Sequence, residues 1–153
     1  MFGLAFPHSQ GDATLLATPP FVLRLPATVA NVSPVLDALE VYAADCGIPG
    51  GVAARLALVA EEIVANVAMH AEGASFFEVR VTREGNALLL AIDDDGPGYD
   101  PLARAAVDTE APLEAREAGG LGVHLIREMT QQATYHREDG LNRLRCTLSA
   151  GGT

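Results

Sequence analysis

Residues Ala91–Pro101 read AIDDDGPGYDP, an apolar run that ends in three consecutive carboxylates followed by glycine and proline. Asp93, Asp94 and Asp95 repel one another, so a folded chain carries such a triplet on a solvated turn or against a ligand. Glycine permits sharp turns and lets the backbone approach a ligand closely. The stretch therefore predicts either a strand that ends at a binding site or a solvated turn whose aspartates cap their own backbone.

The patterns around this stretch predict the order β-α-α-β-β-loop-α-β-β, with at most one helical turn near 101–106. The predicted elements are the strand 21–27, the helices 31–47 and 52–70, the strands 75–84 and 87–94, the helix 119–132, and the strands 133–139 and 142–150. Strands that come as hairpins, rather than alternating with helices, are typical of α+β folds. We expect a single-domain two-layer sandwich: one mixed, mostly antiparallel sheet with three helices on one face.

Composition is that of one soluble globular domain. The chain has 153 residues, of which 49% are hydrophobic and 20% charged. No apolar run approaches the roughly 20 residues that span a bilayer, so no membrane association is expected. Residues 1–20 lack the basic start of a secretory signal and are interrupted by prolines, which predicts a loose leader before a domain at 21–150 and a cytoplasmic location.

Charge and residue usage exclude several function classes. The net charge of −10 argues against a nucleic-acid-binding surface. All ten basic residues are arginines, which excludes a P-loop lysine and Schiff-base chemistry. Cys46 and Cys146 lie far apart without metal-ligand spacing, and we expect both to be small buried residues.

The second predicted helix carries a polar pair beside an apolar stripe. Four helical residues advance about 400°, so Glu62 and Asn66 lie within about 40° of each other, whereas Glu61 points away and is solvated. A carboxylate and an amide at the edge of a core face can hold a hydrated Mg²⁺ and orient a nucleophile. Taken alone, the pair favours a surface pair with a modest i,i+4 hydrogen bond.

The third predicted helix opens with glycines, in AGGLGVHLI (118–126). Free backbone N–H groups and the helix dipole make such a start suitable for phosphate. No parallel βαβ unit surrounds it, so it is not a Rossmann fingerprint. By itself it also fits a flexible loop that ends at a helix.

In this order along the chain, Glu-x-x-x-Asn, Asp-x-Gly-x-Gly, a polar segment and Gly-Gly-Leu-Gly resemble the GHKL ATPase and kinase superfamily. The EEIVANVAMHA stretch and the ending GGLGVHLIREMTQQATYHREDGLNRLRCTL are most similar to its anti-sigma-factor serine kinases. The resemblance covers about 21–148 and implies the histidine-kinase-like ATPase fold.

The resemblance implies a role for each matching residue. Asn66 would ligate the Mg²⁺ that bridges the ATP phosphates, and Glu62 would be the general base for a protein serine. Asp94 would bind the adenine amino group. Asp93 and Asp95 are then expected to be solvated neighbours.

The glycines acquire roles in the same way. Gly96 and Gly98 would let the chain turn beneath the base, and a lid over 99–118 would close on the phosphates. The amides that would contact phosphate are those of Gly119, Gly120, Leu121 and Gly122. Ala118 stands where many relatives have the first glycine of the lid motif, which implies fewer phosphate contacts.

Four further side chains lie near these motifs in the sequence. Arg104 and Arg116, in the lid, either assist the γ-phosphate or are solvated charges. His70 corresponds to a family histidine one turn after the asparagine, or it caps a helix end. His124 is expected to pack.

The sequence thus predicts an ATP-dependent protein serine kinase that phosphorylates an antagonist (anti-anti-sigma) protein and sequesters a sigma factor. ATP and Mg²⁺ are the expected cofactors, and a homodimer is implied by the family. A non-catalytic, nucleotide-gated binding module of the same fold is the main alternative. A histidine-kinase domain and a structural domain with a degenerate pocket are disfavoured.

Overall fold

The computed structural model describes residues 19–103 and 120–151, and it contains the predicted elements in the predicted order. The strands are β1 (Phe21–Pro26), β2 (Phe76–Glu84), β3 (Ala87–Asp94), β4 (Gln132–Glu138) and β5 (Leu141–Ser149), and the helices are α1 (Val32–Asp45), α2 (Gly50–His70) and α3 (Gly120–Met129). Short 3₁₀ turns lie at Val29–Asn31 and Pro101–Ala103. Helix α3 ends before its predicted limit, because Gln132 already pairs with Thr147 in the sheet.

The five strands form one sheet in the order β1-β2-β3-β5-β4. Each neighbouring pair is antiparallel, so the sheet is antiparallel throughout rather than mixed. The predicted α+β class is confirmed. Strand β3 is central, which places its end, and therefore the aspartate triplet, between β2 and β5.

Both predicted hairpins, β2–β3 and β4–β5, occur. Asp139 and Gly140, between β4 and β5, have φ angles of 55° and 76°. Positive φ at both central residues is the backbone requirement of the two-residue turn that matches the twist of antiparallel strands. The short hairpin brings the beginning of β5 back beside the end of β4.

The core lies between the helices and one face of the sheet. Alternate side chains of the central strands are buried there, including Phe77, Leu90 and Leu144. Helix α2 contributes the predicted stripe: Leu56, Val59 and Ile63 are buried, and Val67 packs against them half-buried. The alternate side chains of the strands and the periodic side chains of the helix thus pack into one hydrophobic cluster.

Helix α1 packs on α2 through apolar side chains. Val35 and Leu39 are buried, and Gly47 ends the segment with a φ of 66°, a conformation that glycine adopts without strain.

The cysteines are free thiols: Cys146 is buried and Cys46 half-buried. No helix among the described residues has both the length and the apolar character needed to cross a bilayer.

Candidate functional site

A cavity of about 650 Å³ opens between α2, the end of β3 and the β4–β5 hairpin. Its wall is mostly apolar, and its lining residues are Ile63, Asn66, Val67, His70, Ala71, Ile92, Asp94, Pro97, Gly98, Tyr99, Pro101, Tyr135, Asn142 and Leu144. This volume lies in the range of small-molecule sites, which combine apolar walls with a few polar groups. The cavity brings Asn66 of one predicted motif together with Asp94 and Gly98 of another.

Asp94 reaches this cavity because it is the last residue of β3 on the helix-facing side of the sheet. It lies opposite Phe77 on one side and Asn142 on the other, and it is 6% exposed. Its Oδ1 accepts hydrogen bonds from the backbone N–H of Gly96 (2.8 Å) and from Nδ2 of Asn142 (3.0 Å). Among the described residues, no donor reaches its Oδ2.

Burial raises the pKa of Asp94 above its ordinary value, and the hydrogen bonds from Asn142 and Gly96 oppose only part of that effect. Desolvation disfavours the charged form of a carboxyl group unless enough donors compensate. A ligand that donates a hydrogen bond to Oδ2 would supply the missing stabilisation. The site is therefore chemically suited to an amino group on a flat, apolar ligand.

Asp93 is buried, so the expectation that it is solvated is wrong. It lies on the opposite face of the sheet and is 4% exposed. Its Oδ1 pairs with Arg145 at 2.7 Å and its Oδ2 with Arg80 at 3.4 Å. The long arginine side chains cover the carboxylate while their own charged ends stay partly in solvent.

Asp95 is half-buried and has a structural role of its own. It accepts hydrogen bonds from the backbone N–H of Ser75 (2.7 Å), from the Ser75 hydroxyl and from the N–H of Phe76 (3.1 Å). Burial alone would raise the pKa of Asp95, but these donors outweigh it and lower the pKa below its ordinary value. The side chain is partly exposed, as expected, and its carboxylate also ties the end of β3 to the start of β2.

Glu62 and Asn66 occupy successive turns of α2, as predicted, but only Asn66 lines the cavity. Glu62 is half-buried and lies against the first turn of α3. A methyl group on Gly122 would be 2.5 Å from the carboxyl carbon and Oε2 of Glu62. Glycine at 122 is therefore what allows the Glu62 carboxylate and the helix backbone to be in direct contact.

The two glycines of the Asp-x-Gly-x-Gly stretch differ in their surroundings. A side chain on Gly96 would come within 3.0 Å of both the Ala71 Cβ and the Asp94 Oδ1. A side chain on Gly98 would have only the Arg137 side chain near it, at 3.8 Å. Close packing thus explains the glycine at 96, whereas Gly98 lies on the cavity wall with space around it.

The phosphate-contacting segment is only partly described. Helix α3 begins at Gly120, and Gly122 is buried in its first turn. Gly119, the lid from residue 104 onward, and the side chains of Arg104 and Arg116 lie outside the described residues, as do the surroundings of Gly120 and Leu121. The predicted phosphate contacts of 119–122 therefore remain predictions.

The two histidines near the motifs have different positions. His70 is the last residue of α2 and lines the cavity, which fits both of the roles considered for it. His124 was expected to pack, and this is wrong. Its side chain is 51% exposed, with Nε2 3.9 Å from Oε1 of Glu128, because Val123 and Ile126 take the core-facing positions of α3.

Sequence reasoning missed the polar group that completes the cavity. Asn142 on β5 is 6% exposed and contacts Asp94, and Tyr135 and Arg137 on β4 in turn contact Asn142. A signal was present: in NRLRCTL, an amide occupies the core-facing phase that Leu144 continues. A buried polar residue in an alternating strand requires partners, and here they lie in the cavity wall.

The donor set at α2 fits a magnesium ion shared with phosphates. Mg²⁺ keeps several waters and takes one or two protein oxygens together with substrate phosphates. Asn66 lines the cavity and carries an amide oxygen, and Glu62 lies one turn away on the same helix, so the two residues match that demand. Within 19–103 and 120–151, no cluster of three or more His, Cys, Asp or Glu side chains is arranged to hold a metal ion by itself.

Comparison with known proteins gives relatives of the same kind. The family described as "Histidine kinase-like ATPase domain" matches residues 25–148. The serine/threonine-protein kinase BtrW of Bordetella bronchiseptica is 32% identical over 97 residues, which are 60% of this chain and 67% of that protein.

A solved structure shows the same fold. The crystal structure of RsbU and RsbW domains from Mycobacterium tuberculosis superposes with a TM-score of 0.64 at 16% identity, over 86% of this chain. The chain spans only 32% of that longer protein. The family match extends over most of the chain and includes every described part of the cavity, so the chain belongs to the histidine kinase-like ATPase domain family.

Proposed function

We propose that this chain binds ATP with Mg²⁺ and transfers the γ-phosphoryl group to a serine of a partner protein, through a domain formed by residues 21–150. One observation carries the proposal. Asp94 lines the same apolar cavity as Asn66, and one of its carboxylate oxygens has no donor among the described residues. Glu62 lies one helical turn before Asn66 on the same helix.

The Asp94 end of the cavity suits adenine. Apolar side chains such as Ile92 and Leu144 can cover a flat base, and Oδ2 of Asp94 can accept a hydrogen bond from its amino group. Guanine presents a carbonyl at the same position, so a GTP molecule would face an acceptor with an acceptor. Family membership, which implies ATP binding, supports this reading of the cavity.

The Asn66 end suits the phosphates. Asn66 would hold Mg²⁺, which supplies charge neutralisation on the phosphate oxygens when it is bound. Glu62 would accept the proton of the serine hydroxyl as the Oγ–P bond forms and the bond from the γ-phosphorus to the bridging oxygen breaks. Phosphoryl transfer depends mainly on positioning and charge stabilisation, so this small set of groups is chemically sufficient.

The partners follow from the sequence resemblance. The proposed substrate is an antagonist (anti-anti-sigma) protein, and the proposed second partner is a sigma factor that the chain sequesters. A relative named as a serine/threonine-protein kinase supports the transferase activity. The homodimer and the cytoplasmic location are further parts of the same proposal.

The decisive experiment incubates the purified chain with γ-labelled ATP, Mg²⁺ and candidate antagonist proteins. Glu62→Gln should lower the phosphorylation rate by about 10²- to 10⁴-fold, the usual contribution of a general base, and should leave ATP binding intact. Glu61→Gln is the matched control, since Glu61 is exposed on the adjacent position of α2. Asn66→Ala should weaken the Mg²⁺ dependence of ATP binding.

A non-catalytic, nucleotide-gated binding module is the second candidate, and the position of Glu62 favours it. The carboxylate lies against Gly122 instead of lining the cavity. If no partner becomes labelled while ATP still changes the affinity for a partner, this second function replaces the kinase. If Glu62→Gln and Glu61→Gln have equal rates, Glu62 is not the base.

A further inference from the structure

Asn142 is a buried amide whose nitrogen is directed at the cavity end of β3. Its Nδ2 donates to Oδ1 of Asp94 at 3.0 Å and to the carbonyl oxygen of Pro97 at 2.9 Å, with the Gly96 carbonyl oxygen at 3.4 Å. The first contact orients a carboxylate, and the other two hold the loop that follows it. One side chain on β5 thus contacts both parts of the Asp-x-Gly-x-Gly stretch.

The oxygen of the same amide is also fully used. Oδ1 of Asn142 accepts from the Tyr135 hydroxyl at 2.6 Å, from Nη1 of Arg137 at 3.1 Å and from the backbone N–H of Tyr99 at 3.3 Å. An arginine and a backbone N–H can only donate, while the backbone carbonyls at the other end can only accept. The chemistry of its neighbours therefore permits only one orientation of the amide.

Arg137 adds a second connection to the same loop. Its Nη1 donates to the carbonyl oxygen of Gly96 at 2.7 Å as well as to Asn142. Since Arg137 and Asn142 are register partners on β4 and β5, the hairpin between them is a rigid support for the loop. Groups held by packing and by satisfied hydrogen bonds keep a binding geometry that a free loop does not.

We infer that Asn142 is a positioning residue for base recognition: it occupies Oδ1 of Asp94 and so directs Oδ2 at the amino group of the bound base. This inference rests on the proposed adenine recognition and deepens it. Asp94 supplies the acceptor, and Asn142, together with the Gly96 N–H on the same oxygen, determines which oxygen is left for the ligand and where that oxygen lies.

The test compares ATP with purine riboside 5′-triphosphate, which lacks the 6-amino group. Calorimetric titration of the wild-type chain should show tighter binding of ATP. Asn142→Ala should weaken ATP binding about tenfold or more, because a hydrogen bond to a charged group contributes about 1.5–3 kcal/mol. The affinity for purine riboside triphosphate should change less than about threefold, so the preference for ATP is lost.

The matched control is Arg143→Gln, on the next residue of β5 and the outer face of the sheet. It should keep the wild-type preference. A double-mutant cycle adds a second readout: in an Asp94→Asn background, Asn142→Ala should have little further effect on ATP affinity, since the two side chains act as one unit. If the alanine variant does not fold, Asn142→Ser replaces it in both measurements, because serine is too short to reach Asp94.

Four results would overturn the inference. If the Asn142 variant weakens both nucleotides by the same factor, Asn142 supports the fold and not base recognition. If the variant keeps the wild-type preference, or if the cycle is additive, Asn142 does not position Asp94. If wild type itself binds the two nucleotides equally, recognition of the amino group fails first, and that result contradicts the proposed function as well.

Discussion

Asp93 and Asp94 are adjacent on one strand, carry the same carboxyl group and are almost equally buried, yet they do opposite things. Asp93, on the outer face, is paired with Arg145 and Arg80. Asp94, on the helix-facing side, has donors on one oxygen and, among the described residues, none on the other. The first carboxylate is satisfied by the fold, and the second is left incomplete for a ligand.

The cross-strand neighbours show how the sheet produces this difference. Asp93 lies in a row with Glu78 and Arg143, all on the outer face, and Asp94 lies in a row with Phe77 and Asn142 in the interior. Successive residues of a strand point to opposite faces, so a shift of one position exchanges these environments completely. Burial alone does not identify a functional carboxylate; unpaired oxygens beside a cavity do.

The largest expected effect contrasts the neighbours of the two aspartates on β2. Phe77→Ala should lower the free energy of unfolding by about 3–5 kcal/mol, because it removes a fully buried ring and leaves a cavity. Glu78→Ala should cost less than about 1 kcal/mol, since its partners Arg24 and Arg80 are about half exposed and can be hydrated. Urea denaturation of both variants measures the difference. Equal losses would show that the outer ion pairs matter as much as the core.

The next effect concerns nucleotide selection. Asp94→Asn should weaken ATP binding about ten- to hundredfold, the contribution of a hydrogen bond to a charged acceptor, and should remove the preference for ATP over GTP. Asp93→Asn should leave both affinities unchanged, since Asp93 lies on the outer face. Calorimetric titration of both variants with ATP and with GTP measures this difference. Equal binding of ATP and GTP by the wild-type chain would remove adenine recognition from the proposal.

The same two substitutions, Asp93→Asn and Asp94→Asn, should change the free energy of unfolding in opposite directions. Asp93→Asn should lower the free energy of unfolding by about 1–3 kcal/mol, because it weakens charge-assisted hydrogen bonds to Arg145 and Arg80. The pKa of Asp94 is raised in the folded state, so its favourable contribution is present below the unfolded pKa of about 3.9 and is lost as pH rises through the folded pKa. At neutral pH Asp94→Asn should therefore raise the stability of the ligand-free chain. If Asp94→Asn instead lowers the free energy of unfolding, the fold already compensates the burial of the Asp94 carboxylate, and no ligand is needed to stabilise it.

The smallest effect is a pH dependence at the third aspartate. The pKa of Asp95 is lowered in the folded state, so its contribution is present above the unfolded pKa of about 3.9 and is lost as pH falls through the folded pKa. Asp95→Asn should cost less than about 1 kcal/mol at neutral pH, because the side chain is partly exposed. Thermal unfolding from pH 7 to pH 2 should show a shallower acid loss in the variant than in wild type. Parallel curves would exclude a contribution of Asp95.

Most of the fold was predictable from local patterns. Local sequence determines the alternation in β3, the helical stripe of α2 and the turn at Asp139-Gly140. Each depends on a periodicity or a backbone conformation of residues that are close together in the chain. The pairing of β3 with β5 was not predictable, because it joins segments separated by the third helix. The expectation of a mixed sheet was corrected for the same reason.

The candidate site divides in the same manner. Asn66, Asp94 and Gly98 belong to short motifs, and the structure brings them to one cavity. Asn142 belongs to no motif that we identified, and its role depends on β5 lying beside β3. The error about Asp93 has the same origin, since Arg145 and Arg80 reach it from neighbouring strands.

The sequence by itself determined the α+β class, the order of the elements, the phase of each strand and helix, and the family to which the chain belongs. These properties depend on residues close together in the chain, where periodicity and turn chemistry act directly. Only the tertiary structure decided which aspartate is paired, which oxygen of Asp94 remains for a ligand, and that Glu62 lies against Gly122. The first two depend on strand register, so a shift of one residue in register would reverse them, and the third depends on how α3 packs against α2.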